Sequence, residues 1–194
     1  MISEKKGAIL ILSGPSGCGK STLLKEVYKD IEDYYFSIST TTRDPREGET
    51  HGVDYLFTSK EEFEKDIENG DFLEYANVHG NYYGTSLKPI NAALKEGKLV
   101  IFDIDVQGHE IVREKLDSIV TSVFITTPNL SELETRLNNR ATDSKEVIEK
   151  RIKNAKHEVE FFQDYDYLII NDDLETAAKQ LVSIANITRV KAKL

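Results

Sequence analysis

At 194 residues the chain can bury one substantial core and is too short for two ordinary domains unless the second is an insertion into the first, so one compact unit with subdomains is expected. Hydrophobic residues at 39% and charged residues at 30% describe a globular protein in water, and the longest apolar stretches fall far short of a membrane span. The formal net charge of −9 argues against a broad nucleic-acid surface, which needs clustered Lys and Arg, yet a few local arginines could still hold a small anion. Residues 1–6 lack the apolar run of a secretory signal, and the single cysteine, Cys18, cannot form an internal disulfide; together they predict a reducing, cytoplasmic location.

The first apolar run, 8–12, is followed at once by glycines and then by a helical pattern from Ser21 to about Tyr28, which reads as strand, loop, helix. Runs at 99–102, 119–125 and 167–170 are short and rich in β-branched residues, and each precedes a helix-like segment, as buried parallel strands do. Ser59 with Glu62, Ser131 with Glu134, and Asp172 with Glu175 predict helix starts, a short capping side chain preceding an acid by three places. Leu174, Ala178, Leu181 and Ala185 give the last helix one face for the sheet.

Two stretches interrupt this alternation. Between Phe36 and Pro89 the composition shifts to Ser, Thr, Tyr, Gly and charged residues, with a strand-like segment at 71–78 and a turn at Gly80 and Asn81, predicting an inserted, mainly β subdomain. From about Asn129 to Gln163 the chain is charged and helical, with Arg136, Arg140 and Arg151 around the polar break Thr142, Asp143, Ser144, a pattern suited to a lid.

Gly14, Pro15, Ser16, Gly17, Cys18, Gly19, Lys20 and Ser21 fit G-x-x-x-x-G-K-[ST] at every position, after a buried strand and at the opening of a helix. The glycines let successive N–H groups turn toward phosphate oxygens, Lys20 adds a point charge, and the Ser21 hydroxyl can ligate Mg²⁺. The apolar strand 99–102 ends in Asp103, where P-loop proteins place the carboxylate that holds Mg²⁺ or its water, and Asp105 lies two places on. Ser39, Thr40, Thr41, Thr42, Arg43, Asp44, Pro45 and Arg46 pack hydroxyls and two arginines into eight residues, a set that can grip a phosphate or simply be a solvated loop. Cys18, at a helix start, could have a lowered thiol pKa or be a small loop residue. His51, His79, His109 and His157 show no metal-ligand spacing, so no zinc site is expected.

The phosphate loop, Thr41-Thr42-Arg43-x-x-Arg46, Gly52-Val53-Asp54-Tyr55, Phe72-Leu73-Glu74-Tyr75, Asn81-Tyr82-Tyr83-Gly84-Thr85, Asp103-Ile104-Asp105-Val106-Gln107-Gly108 and Asn171-Asp172-Asp173, in this order over nearly the whole chain, resemble the guanylate kinase family. The resemblance implies an α/β P-loop NTPase fold, a parallel sheet flanked by helices. Its core would be about 1–36, 90–125 and 164–194, with a GMP-binding subdomain at about 37–89 and a helical lid at about 126–163. It implies ATP, carried on residues 14–22 through Thr22 with Asn171 near the adenine, and Mg²⁺ at Ser21 and Asp103. By the same resemblance Arg43, Arg46, Tyr55 and Tyr83 would hold the GMP phosphate, and Ser39, Glu74, Thr85 and Asp105 would surround the guanine. Lys20, Arg43, Arg136, Arg140 and Arg151 would carry the positive charge that catalysis needs. Guanine offers N1–H and its 2-amino group as adjacent donors, which one carboxylate accepts together.

This sequence departs from the family's usual pattern at Ala141, where glycine is common, and at Thr85, where serine is common but the hydroxyl is kept. The competing readings are a P-loop kinase for another monophosphate, a binding module that has lost catalysis, and a GTPase switch, which would need an Asn-Lys-x-Asp element that this sequence lacks. The oligomeric state is open.

Overall fold

A computed structural model describes residues 7–78, 80–116, 119–138 and 145–190. Arg140, Ala141 and the polar break at 142–144 lie outside the described residues, as does His79.

The first strand, β1 (Ala8–Ser13), is buried at all six positions. A strand can be apolar on both faces only if both faces are covered, and the packing shows this. Ala8, Leu10 and Leu12 join one core cluster with Leu23 and Leu24 of α1 (Lys20–Val27), Leu133 of α5 (Leu130–Asn138) and Leu181 of α7 (Leu174–Val190). Ile9 and Ile11 join another with Ile90 of α3 (Leu87–Lys95) and Val112 of α4 (Val106–Leu116). The period-two alternation of side chains along one strand thus feeds two separate cores.

Five strands make the main sheet. Counting β2 (Tyr34–Phe36), β7 (Leu99–Asp103), β8 (Val120–Thr126) and β9 (Tyr167–Ile170), their order is β2-β7-β1-β8-β9, and every pairing is parallel. The expected strands stand where the apolar runs predicted them. The exception is β2, three half-buried residues too short to show a pattern. In register, Leu12 of β1 faces Asp103 of β7, so the glycine-rich loop after β1 and the carboxylate ending β7 emerge together at the sheet's carboxyl edge, where open α/β sheets bind ligands.

A second sheet of four strands has the order β4-β3-β6-β5, built from β3 (Thr40–Thr41), β4 (Leu56–Phe57), β5 (Phe72–Val78) and β6 (Asn81–Ser86). Helix α2 (Lys60–Glu68) covers it, and Phe63, its one buried residue, stacks on Phe72 at 4.1 Å and on Tyr82 at 5.1 Å between ring centroids. As expected, Ser59 caps α2, its hydroxyl accepting from Glu62 N–H at 3.1 Å. The other two expected starts shift. The side chain of Asn129 accepts from Glu132 N–H at 2.8 Å and so takes the capping role expected of Ser131. Likewise Asp173, accepting from Thr176 N–H at 2.8 Å, caps α7 in place of Asp172. Asn and Asp cap as well as Ser, so several candidates in a row leave the choice to the tertiary path of the chain. The remaining helix, α6 (Lys145–Val159), runs into a 3-10 turn at Glu160–Asp164 that leads to β9.

Candidate active site

The loop between β1 and α1 is shaped by close contacts that only glycine permits. A Cβ at Gly14 would lie 2.0 Å from the Ile125 carbonyl oxygen. Gly19 has a left-handed φ of 86°, and a Cβ there would lie 2.5 Å from Asn171 Nδ2. Gly19 also starts α1 without a side-chain cap, which leaves the helix N-terminus open to an anion. Residues 14–22 line a concave site of about 230 Å³. Cys18 is buried in the wall of this loop, and burial pushes its thiol pKa up, which favours the small-loop-residue reading over a reactive thiolate.

At the mouth of the loop Lys20 Nζ pairs with Asp103 Oδ1 at 2.7 Å, joining the two charged motif residues directly. Ser21, next to Lys20 at the start of α1, is exposed.

Three cations converge on the same loop. Arg136, on α5, donates from Nε to Glu132 at 2.9 Å and from Nη2 to the Asn171 carbonyl at 3.3 Å. Asn171 is buried just after β9, and its Nδ2 donates to the Cys18 carbonyl at 2.8 Å, so it braces the loop from below. Arg151, on α6, reaches Ser16 Oγ with Nη1 at 3.4 Å. These contacts bring Lys20, Arg136 and Arg151 around one site from three helices.

A separate pocket of about 320 Å³ opens between the two sheets, with Glu74, Thr85 and Asp105 around a floor of Leu73, Phe102 and Ile104. The register of β5 against β6 shifts between Phe72 and Glu74, so Phe72 and Leu73 are both buried although adjacent. Phe72 meets Phe63, Leu73 enters the core below α3 and α4, and Glu74 is left facing Thr85. The Thr85 hydroxyl donates to Glu74 Oε1 at 2.6 Å and fixes the carboxylate. Asp105 spends Oδ1 on the Gly108 N–H at 2.8 Å, at the start of α4. Ser39 is exposed between β2 and β3 and is not among the residues lining this pocket.

Beyond the pocket, Arg43 and Arg46 stand on the loop after β3. The Arg43 guanidinium lies 5.5 Å from the Tyr55 ring centroid, and Tyr55 meets Tyr83 at 6.0 Å, so Arg43, Tyr55 and Tyr83 form one polar and aromatic corner. The Glu49 carboxylate and the Tyr83 hydroxyl hold the Arg43 pKa above its ordinary range. Arg46 is exposed.

The guanylate kinase family model matches residues 6–187. This chain belongs to the guanylate kinase family. It is 61% identical over 190 residues to a guanylate kinase of Sulfurimonas denitrificans, covering 98% of this chain and 92% of that protein. To a guanylate kinase of Helicobacter pylori it is 56% identical over 186 residues, covering 95% and 90%. The crystal structure of guanylate kinase from Anaplasma phagocytophilum matches with a TM-score of 0.69 at 33% identity, covering 97% of this chain and 89% of that one. Membership of the guanylate kinase family makes the protein an ATP-dependent phosphotransferase acting on GMP.

Two acids that sequence reasoning passed over stand among these groups. Glu49 holds Arg43. Glu158, on α6 one heptad beyond Arg151, is half-buried near Lys20 and the Ser16 amide, and burial pushes its carboxyl pKa up. It lines, with Asp105, a larger cleft of about 1040 Å³ between α4 and α6. The seven-residue spacing from Arg151 is the signal that could have pointed to Glu158, since it places both on one helix face.

Proposed function

We propose that the chain transfers the terminal phosphoryl group of ATP to GMP in line, with the phosphate loop as donor site and the pocket at Glu74 as acceptor site. The observation that supports this most is a pairing within one chain: a phosphate loop at the sheet edge, and a separate pocket whose carboxylate, Glu74, is fixed by the Thr85 hydroxyl. A fixed carboxylate suits the adjacent N1–H and 2-amino donors of guanine, whereas adenine would leave it desolvated and unpaired.

In this reading Lys20, Arg136 and Arg151 neutralise charge on the phosphoryl group in flight, with Arg140 added by family resemblance. Lys20 and Asp103 are each other's counterion in the protein alone, and Lys20 would leave Asp103 for the nucleotide phosphates. Asn171 supports the adenine side. Arg43, Arg46, Tyr55 and Tyr83 take the GMP phosphate, and Glu74, Thr85 and Asp105 take the base, with Ser39 added by family resemblance. The GMP phosphate is anionic near neutral pH, so the acceptor needs no dedicated general base, and the protein's work is positioning and charge neutralisation.

Ser21 and Asp103 fit Mg²⁺: both are hard oxygen donors beside the phosphate loop. Among the described residues no cluster of three His, Cys, Asp or Glu could hold a metal, so the remaining ligands would be nucleotide oxygens and water, the usual setting for Mg²⁺. When bound, the ion would neutralise charge on the transferred phosphate.

The proposed subdomains are the core at about 1–36, 90–125 and 164–194, the acceptor unit at about 37–89 and the lid at about 126–163. Among the described residues no helix is long and apolar enough to cross a membrane. A cytoplasmic site of action agrees with the lone buried thiol.

The test is ADP release with ATP and Mg²⁺, supplying GMP, AMP, CMP, UMP and dTMP separately. Strong turnover with GMP alone is the expected outcome. Equal turnover with AMP would overturn the role given to Glu74.

A further inference from the structure

Glu49 is tied into the acceptor loop more tightly than any role so far requires. Its two carboxylate oxygens each accept from Arg43 Nη2 at 2.9 Å. Oε2 also accepts from the Arg46 backbone N–H at 2.8 Å, and the Glu49 N–H donates back to the Arg46 carbonyl at 3.0 Å. One side chain therefore joins the guanidinium of the first arginine to the backbone of the second. Arg43 is held from its other side as well: Nη1 donates to the Asp44 carbonyl at 2.7 Å, and the rings of Tyr55 and Phe57 lie 5.5 and 5.9 Å from its guanidinium carbon. Both partners of the ion pair are largely covered, with 14% and 20% of their side chains exposed.

We propose that Glu49 is a positioning residue for the acceptor phosphate, fixing the Arg43 guanidinium and the turn that carries Arg46 before substrate arrives. The inference rests on the reading that Arg43 and Arg46 grip the GMP phosphate. A free arginine on a loop samples many rotamers and loses that freedom on binding; Glu49 imposes the order in the folded protein, so GMP meets a preorganised cation. A carboxylate beside an anion site also repels the anion, and this raises the opposite possibility, that Glu49 merely occupies the phosphate's place and leaves when GMP binds. The contacts favour positioning. Glu49 does not reach in from a distant element. It is built into the same turn it stabilises, and its departure would strip the Arg46 N–H of its acceptor while releasing Arg43.

Glu49→Gln tests this, because the amide keeps the size and can still accept from Arg46 N–H but loses the charge that holds the guanidinium. Steady-state kinetics with GMP and ATP would be combined with inhibition by guanosine, which carries the base without the phosphate. The expected result is a GMP KM raised roughly ten- to a hundredfold, with the ATP KM and the guanosine inhibition constant unchanged. Glu49→Asp, which keeps the charge on a shorter arm, should recover part of the loss. A GMP KM that is unchanged or lowered would overturn the proposal, a lowered one pointing to a phosphate stand-in. Guanosine weakened by the same factor as GMP would overturn it too, since Glu49 would then only hold the subdomain together.

Arg43→Lys separates the two levels of the reading. If Arg43→Lys leaves GMP kinetics intact, the phosphate grip itself is wrong; if it raises the GMP KM while Glu49→Gln does not, only the role of Glu49 fails. In the Arg43→Lys background Glu49→Gln should add little, because the group it positions is gone.

Discussion

The proposed donor and acceptor sites are made of different materials. The donor loop is backbone held against the buried core: Gly14 turns against the Ile125 carbonyl, the buried Asn171 side chain ties the Cys18 carbonyl to the end of β9, and the strand leading into it is buried on both faces. The acceptor site is made of side chains held by other side chains: Thr85 on Glu74, Glu49 on Arg43, Tyr55 against Tyr83. It stands on a sheet whose shortest strands are two residues long. A triphosphate needs many N–H donors in a fixed curl, which a buried core supplies. A base must be told from other bases, which takes a few polar groups at set positions, and these can sit on a lighter frame.

If the two sites are separate in this way, damage to one should leave the other intact. The largest effect is expected from Lys20→Ala. Removing the loop's cation should lower turnover by at least about a hundred- to a thousandfold, measured as ADP release with saturating ATP and GMP. Phe63→Ala strikes the acceptor side. It removes the ring stacked between Phe72 and Tyr82 and should cost about 3–5 kcal/mol of stability. In temperature-controlled kinetics it should raise the GMP KM while sparing the ATP KM; equal shifts in both would break the comparison.

A smaller effect is expected at Asp166, on the core side. Its Oδ2 accepts from the Ser122 N–H at 2.8 Å and from Arg113 Nη1 at 2.9 Å, tying the entry to β9 onto β8 and α4. Burial alone would push this carboxyl up, but the Ser122 amide and the Arg113 guanidinium outweigh burial and hold it below the ordinary range. Because folding lowers this pKa, the stability it supplies is complete above the free value of about 3.9 and is lost as pH falls through the lower folded value. Asp166→Asn should therefore cost about 1–3 kcal/mol at pH 7, and denaturant melts of the two proteins should converge as the pH is lowered below that range.

The same contrast governs what could be read from the sequence. The donor loop is eight consecutive residues between an apolar run and a helical pattern, so local order alone places Gly14 to Ser21 and nearly fixes β1 and α1. Arg151 beside Ser16 could not be read this way: 135 positions separate them, and only the docking of α6 brings them together. Likewise the strand-like pattern at 71–78 foretold β5, but not the register shift that turns Glu74 toward Thr85. Glu49 is one acid in a chain rich in them, and nothing in its sequence neighbours announces that it reaches back six residues to Arg43. At α5 the pattern pointed to Ser131, but the cap is made by Asn129 two residues earlier, since Asn caps as well as Ser.

The separation of the two sites is tested most directly by titrating GMP into the Lys20→Ala protein in a calorimeter, without ATP. The account predicts that GMP binds with the affinity and heat it shows for the unaltered protein, although turnover is gone. Loss of GMP binding along with turnover would contradict it, because the donor loop would then be part of the acceptor site.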